Sequence, residues 1–191
     1  VIWDTRARTL FAARDRFGIK PFYYRLDARG FSFASKVKAL LIDPECDDDL
    51  DPIGVYDYFT SYVFGENTMF ANIKRLAPAH WLRIKDATVE TQRYWAPRID
   101  PDVANRSAHE NVECLDSLLR TVIGDHRMGE VPQGQFLSGG VDSSLITIYM
   151  SEMLDEPVRT YTMAFGGRKG FDESAYAQQV ADKCRTHHRV L

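Results

Sequence analysis

The string Ser138-Gly139-Gly140-Val141-Asp142-Ser143-Ser144 constrains this 191-residue chain more than any other feature. It stands between a short run read as an apolar strand, Gln135-Phe136-Leu137, and an apolar-periodic segment beginning at Leu145. That order predicts a strand, a tight glycine turn and a helix start. Two consecutive glycines let the backbone close around a bound group, and a helix N-terminus adds unpaired N–H groups and the positive end of a dipole. The hydroxyls of Ser138, Ser143 and Ser144 add donors, and the Asp142 carboxylate can hold a divalent cation. This set suits pyrophosphate bound with Mg²⁺. It is not the P-loop, because no Lys-Ser/Thr follows a GxxxxG pattern. The bland alternative is an ordinary Gly-Gly turn with Ser or Asp as a simple helix cap.

The segments around this loop alternate. A capping box, Ser107-Ala108-His109-Glu110, opens a helix whose apolar residues recur at Val112, Leu115, Leu118, Leu119, Val122 and Ile123. After it come a strand at 135–137, a helix at 143–154, a strand at 158–165, a helix at 172–183 and a strand starting near His187. Such β-α-β-α-β order predicts a parallel sheet with right-handed crossovers. The loop then falls at the carboxyl end of the first strand, where open α/β sheets bind ligands.

The first half of the chain reads differently. Residues 1–35 predict a β-meander: Val1-Ile2-Trp3, then 9–13, 21–26 and 30–34, with Asp27-Ala28-Arg29-Gly30 as a hairpin turn. Ser35 is read as the cap of a short helix ending at Leu41. Residues 43–51 hold five Asp and one Glu and are expected to be a solvated loop, since their spacing does not fit a calcium loop. Asp51-Pro52 opens a helix whose aromatic stripe, Tyr56, Tyr58, Phe59 and Tyr62, is expected in the core. Residues 69–84 read as turn-rich and ending in a strand, with another short strand at 91–95. Pro97 to Ser107, rich in Pro, Asp, Asn and Ser, is the best linker.

Composition bounds the partners. Hydrophobic residues at 45% can fill a core, and charged residues at 27% with a net charge of −3 leave no basic footprint for nucleic acid. No apolar run approaches the ~18 residues of a membrane-spanning helix. Cys46, Cys114 and Cys184 are few and far apart; reduced thiols, a cytoplasmic location and no secretory leader are the expectation. Val1 and Leu191 both stand in strand-like runs, so the chain is expected to be an internal piece of a longer one.

Further motifs narrow the reading. The segment Ala13-Arg14-Asp15-Arg16-Phe17-Gly18-Ile19-Lys20-Pro21-Phe22-Tyr23-Tyr24 resembles the ARDxxGxxPLYY stretch of class II glutamine amidotransferases. Phe33-Ala34-Ser35-Lys36-Val37-Lys38-Ala39-Leu40 is similar to that family's FASExKAL, with Lys36 in place of Glu. The Ser138–Ser144 string resembles the pyrophosphate loop of the N-type ATP pyrophosphatases. With Arg93-Tyr94-Trp95, Val131-Pro132-Gln133-Gly134, Phe171-Asp172-Glu173-Ser174 and His187-His188, the whole chain resembles the glutamine-hydrolysing asparagine synthetases.

The resemblance implies the back part of an Ntn-type αββα glutaminase domain (1–96), a linker (97–106) and the start of a parallel-sheet ATP pyrophosphatase domain (107–191). It implies ATP and Mg²⁺ as cofactors, with L-aspartate and glutamine-derived ammonia as the other substrates. Aspartate is amidated through β-aspartyl-AMP with release of AMP and pyrophosphate. Neither nucleic acid nor membrane is an expected partner; a homodimer is. The family's N-terminal Cys nucleophile has no counterpart here, so no catalytic residue is assigned and the chain alone is expected to be inactive. The implied nucleotide-binding residues are Phe136, Ser138, Gly139, Gly140, Val141, Asp142, Ser143, Ser144 and Met163, with Asp142 also the Mg²⁺ ligand. Apart from the family, Phe136 and Met163 read as strand residues of the core. Asp172 reads as a cap of the next helix, and Arg14, Asp15 and 18–21 as a structural turn near the domain interface. His187 and His188 alternate along a strand, which argues against their sharing a metal. Two other readings stay open: a related ligase, such as a β-lactam synthetase-like or polysaccharide- or peptide-forming enzyme, and a catalytically dead binding module.

Overall fold

Strand pairing in the first half of the chain departs from a meander. The computed structural model describes residues 1–60, 65–86, 88–127, 132–164 and 172–191, so Tyr62, Val131, Phe171 and the end of the strand expected at 158–165 lie outside the described residues. The chain divides into two compact units, Val1–Ile99 and Asp100–Leu191. No helix among the described residues is long and apolar enough to cross a membrane.

In the first unit, β1 (Ile2–Asp4) pairs antiparallel with β2 (Thr9–Ala13), but β2 does not continue into the next strand in sequence. It pairs instead with β6 (His80–Lys85), which pairs with β7 (Thr88–Arg93). A second antiparallel sheet has β3 (Tyr23–Asp27) between β4 (Gly30–Ala34) and β5 (Lys74–Arg75). One buried cluster joins residues of both sheets: Ala12 of β2, Leu82 of β6, Tyr24 of β3, and Leu76. The expected meander is therefore two sheets sharing a core. The turn at Asp27–Gly30 does close a hairpin between β3 and β4.

The crossing from one sheet to the other is made by residues 14–22, and a buried arginine holds it. Arg14 donates through Nε to the Lys20 carbonyl (2.8 Å), through Nη1 to Leu76 (2.6 Å) and through Nη2 to Gly18 (2.7 Å). Asp15 accepts from the N–H groups of Phe17, Ile19 and Lys20. The Lys20 N–H above all holds its carboxyl below the usual range. Gly18 sits at φ +67°, with Pro78 within 2.8 Å of where a Cβ would be. The segment is the structural turn that the sequence indicated.

Other local expectations are revised. The helix after β4, α1 (Val37–Leu40), has Lys36 rather than Ser35 at its N-cap, with no side-chain cap. The acidic stretch is a largely exposed loop, as expected, and its first part is tied down by ion pairs. Arg25, buried, and Arg29 pair with Asp27, Asp43 and Glu45, and Asp47 accepts from the Asn72 side chain. Asp51 accepts from the Ile53 N–H at the start of α2 (Pro52–Thr60), as its Asp-Pro signal indicated. The aromatic stripe of α2 is not core: Tyr56, Tyr58 and Phe59 are exposed, and Gly54 is the helix's buried residue. Only a glycine fits there, because a Cβ would lie 1.9 Å from the Thr68 carbonyl oxygen.

The second unit opens on α3 (Pro101–Ala104), a short turn of helix within the expected linker. Asp100 caps it by accepting from the Asp102 N–H, and Pro101 suits its first turn. Next comes α4 (Ala108–His126) with the capping box formed in both directions. Three parallel strands follow in the order β10-β9-β8: β8 (Gly134–Phe136), β9 (Arg159–Thr162) and β10 (His187–Val190). Helix α5 (Val141–Met153) connects β8 to β9, and α6 (Ser174–Cys184) connects β9 to β10. Leu137 packs with Ala177 and Ala181 of α6 in the core of this unit. Arg120 of α4 bonds Asp116 and Glu152, and Tyr149 of α5 donates to Asp116, which ties α4 to α5.

Candidate functional site

The loop at 138–144 leaves the carboxyl end of β8 and turns directly into α5. Its strand root is pinned: the Leu137 N–H donates to Tyr161 (2.8 Å), and the buried Thr162 hydroxyl donates to the Leu137 carbonyl. Helix α5 begins at Val141, two residues before the sequence placed it, with Gly140 as N-cap. A glycine cap offers no side chain, so no side-chain bond covers the first N–H groups of the helix. They remain available to an anion, which is the arrangement helix N-termini use for phosphate. The bland alternative, in which Ser or Asp caps this helix, is not what the backbone adopts; Asp142 lies within the first turn.

The two glycines have different jobs. Gly139 has φ +81°, and a Cβ on it would lie 2.6 Å from the Ala177 nitrogen and from the Tyr176 carbonyl carbon. Its need for glycine comes from α6 packing against the loop. Gly140 has φ −70° and ψ 166°, ordinary extended backbone, and the atom nearest to an added Cβ is Ser138 Oγ at 3.3 Å. Gly140 is thus free of backbone strain, and its use lies in leaving the helix end open.

The serines are partly occupied with one another. Ser143 Oγ donates to the Gly140 carbonyl (3.2 Å), so Ser138 Oγ must donate to Ser143 Oγ (3.0 Å). Ser138 Oγ in turn accepts from the Gly140 N–H (3.3 Å), and the Ser138 N–H donates to Ser143 Oγ. This relay shapes the loop before any ligand arrives.

Phe136, the last residue of β8, and Met163, just past the end of β9, are 74% and 58% exposed. Neither is a core residue, contrary to what their strand positions alone suggested. In the parallel register Phe136 lies beside Tyr161, and Met163 is two residues further on, so all three share a face. The opposite face carries Gln135, Leu137, Thr160 and Thr162. The carboxyl ends of β8 and β9 thus present exposed apolar groups next to the loop.

Asp142 is not part of a metal cage: among the described residues no three His, Cys, Asp or Glu side chains gather to hold a metal. What Asp142 offers is a single carboxylate in the first turn of α5, a hard oxygen donor of the kind Mg²⁺ takes alongside phosphate oxygens. Asp172 accepts from the Ser174 N–H (3.0 Å), and its carboxyl is held below the usual range by Ser174. The N-cap of α6 is Glu173 rather than Asp172. His188 Nδ1 bonds the Thr160 hydroxyl at 2.9 Å, a structural contact.

Two residues of the site escaped the sequence reading. Gln135 Nε2 donates to the Ser143 carbonyl and to the Thr147 hydroxyl, and buried Thr147 donates to the same carbonyl. A signal was present: Gln135 is polar within a strand read as apolar, and Thr147 lies one helical turn after Ser143.

Residues 1–95 match the family model described as a glutamine amidotransferase domain, and residues 114–191 match the one described as asparagine synthase. The chain is 32% identical to asparagine synthetase [glutamine-hydrolyzing] 3 of Bacillus subtilis, over 92% of its own length and 29% of that protein's. It is 28% identical to a putative asparagine synthetase [glutamine-hydrolyzing] 2 of Methanocaldococcus jannaschii, over 98% of its own length and 37% of that protein's. Amidase chry2 of Gibberella zeae is 29% identical over 95% of the chain. The chain spans about a third of the length of the curated relatives it matches.

Proposed function

We propose, from the premise that this chain belongs to the glutamine-hydrolysing asparagine synthetase family, that the loop at 138–144 binds the pyrophosphate part of ATP for the amidation of aspartate. The observation that carries the reading is the uncapped N-terminus of α5, placed by a glycine turn at the carboxyl end of a parallel strand. The N–H groups of Gly139, Val141 and Asp142 and the Ser144 hydroxyl donate to phosphate oxygens, and the Gly140 N–H with the hydroxyls of Ser138 and Ser143 turns to them from the relay these groups form in the free loop. The helix dipole favours the negative charge there. Asp142 would hold Mg²⁺, which would supply positive charge beside the pyrophosphate. The backbone at Phe136 and Met163 contacts the adenine.

In this reading 1–96 is the back part of a glutaminase domain of Ntn-type αββα fold, 97–106 the linker, and 107–191 the start of an ATP pyrophosphatase domain. A carboxylate is a poor acyl donor. An oxygen of the aspartate side chain therefore attacks the α-phosphorus of ATP, pyrophosphate leaves, and ammonia from glutamine displaces AMP from the β-aspartyl-AMP. Water must be kept from that mixed anhydride, and ammonia must stay unprotonated to attack. A homodimer and a cytoplasmic setting belong to the same reading. The match to Amidase chry2, a relative not named as an asparagine synthetase, is compatible with a second reading, a related ligase with another acceptor; comparing aspartate with other carboxylate acceptors in a pyrophosphate-release assay of the longer protein separates the two.

The direct test is calorimetric titration of the chain with inorganic pyrophosphate, with and without Mg²⁺, for the parent and for Asp142→Asn. Asp142→Asn is expected to abolish most of the Mg²⁺-dependent gain in affinity, about tenfold or ~1.4 kcal/mol, and to leave Mg²⁺-free binding nearly unchanged. Equal Mg²⁺ dependence in both proteins would refute the metal assignment.

A further inference from the structure

Two side chains, Gln135 and Thr147, bond the helix end of the loop. Gln135 reaches from β8 under the first turn of α5, donating at 3.0 Å to the Ser143 carbonyl and also to the Thr147 hydroxyl. Thr147, fully buried, donates at 2.8 Å to the same carbonyl four residues earlier. The Ser143 carbonyl sets the amide's orientation, because exchanging its nitrogen and oxygen would bring two acceptors together; the Gln135 oxygen is then left buried without a donor. A hydroxyl bonding the carbonyl four residues back tends to tilt a helix. Here Gln135 joins that turn of the helix to β8.

We propose that Gln135 and Thr147 are positioning residues that aim the N–H groups of the α5 N-terminus at the anion. This rests on the pyrophosphate reading of the loop. The physical case is one of convergence. The strand root is held on β9 through Leu137, Tyr161 and Thr162. The helix root is held on β8 by Gln135 and Thr147. Between the two roots lie only short residues and the Ser138–Ser143–Gly140 relay. A donor aimed in advance costs a ligand less ordering on binding. Thr147 is buried and the bonds around it are part-buried, so removing one partner leaves another poorly paired.

The experiment uses the ¹⁵N-labelled 191-residue chain titrated with inorganic pyrophosphate and Mg²⁺. The amide resonances of 139–144 are followed, and affinities are measured by calorimetry. Thr147→Val keeps the shape and removes the hydroxyl; Thr147→Ser keeps the hydroxyl. Gln135→Met, made in another element, serves if Thr147→Val does not fold. Thr147→Val and Gln135→Met are expected to bind Mg-pyrophosphate about tenfold more weakly, the equivalent of roughly one buried hydrogen bond. Both should also move the Gly140, Val141 and Asp142 amide resonances of the free protein. Thr147→Ser should stay within about twofold of the parent, because its donor is retained. Parent-like affinity and unshifted amides in Thr147→Val and Gln135→Met would overturn the proposal, as would an equal loss in Thr147→Ser. If the parent itself binds no pyrophosphate, the ligand reading falls; positioning is then judged by the free-protein amide shifts, which only these hydroxyl and carboxamide deletions should move.

Discussion

Replacing Gly139 by alanine separates a glycine needed by the backbone from one needed by a ligand. At φ +81° an L-residue is strained by about 1–2 kcal/mol. The added Cβ would also stand 2.6 Å from backbone atoms of Tyr176 and Ala177, where ordinary contact begins near 3.4 Å. Neither of those atoms is a flexible side-chain tip. The N-terminal turn of α6 must therefore move by most of an ångström, which loosens Ala177 and Ala181 against Leu137. Overpacking of that kind adds about 1–3 kcal/mol. The total is about 2–5 kcal/mol, a large share of the stability of a unit this size. Gly140→Ala, with φ −70° and only a serine oxygen at 3.3 Å, should cost less than about 1 kcal/mol. The assay has a built-in control. All three tryptophans, Trp3, Trp81 and Trp95, lie in the first unit, while the long helices α4 and α6, with α5, lie in the second. On heating Gly139→Ala, far-UV circular dichroism should report a transition lowered by roughly 10–40 °C, and tryptophan fluorescence should be unchanged. Equal effects of Gly139→Ala and Gly140→Ala, or a shift confined to the fluorescence, would refute the argument.

Two further outcomes follow from the first unit. Arg14→Lys keeps the charge but cannot present three donors in a fixed fork, so it should lower the fluorescence-detected stability by about 2–4 kcal/mol and leave the dichroism of the second unit intact; an unchanged denaturation midpoint would count against the pinning role. Asp15, Asp27 and Asp43 all have carboxyls held below the usual aspartate range, first by the N–H groups of Lys20, Arg29 and Glu45 respectively. A lowered folded-state value means that the unfolded chain takes up protons first. The stabilisation is thus complete above the ordinary aspartate value and is lost as pH falls through the lower folded values. Acid titration by tryptophan fluorescence should show the first unit loosening in that range, and Asp15→Asn, which cannot ionise, should flatten the dependence; an acid profile indifferent to Asp15→Asn would argue against it.

The parts legible in the sequence were those whose causes lie within a few residues. The capping box at Ser107 and Glu110, the Asp51-Pro52 helix start, the 27–30 hairpin and the strand-loop-helix order at 135–144 each depend on short-range bonding, and each is present. The motif Ser138–Ser144 likewise identified the candidate site, because glycine, hydroxyl and carboxylate chemistry can be read from residue types. What only tertiary structure decided depends on partners remote in sequence. β2 pairs with the distant β6 rather than with β3, and residues of both sheets then meet in one buried cluster, a gain that only the assembled unit offers. Phe136, Met163 and the α2 aromatics look like core by composition, yet the strands and helices carrying them turn those faces outward. Gly139 rather than Gly140 carries the backbone constraint, since the constraint is the approach of α6. Gln135 and Thr147 become part of the site only when β8 and α5 meet, for a hydrogen bond between elements has no periodicity to announce it.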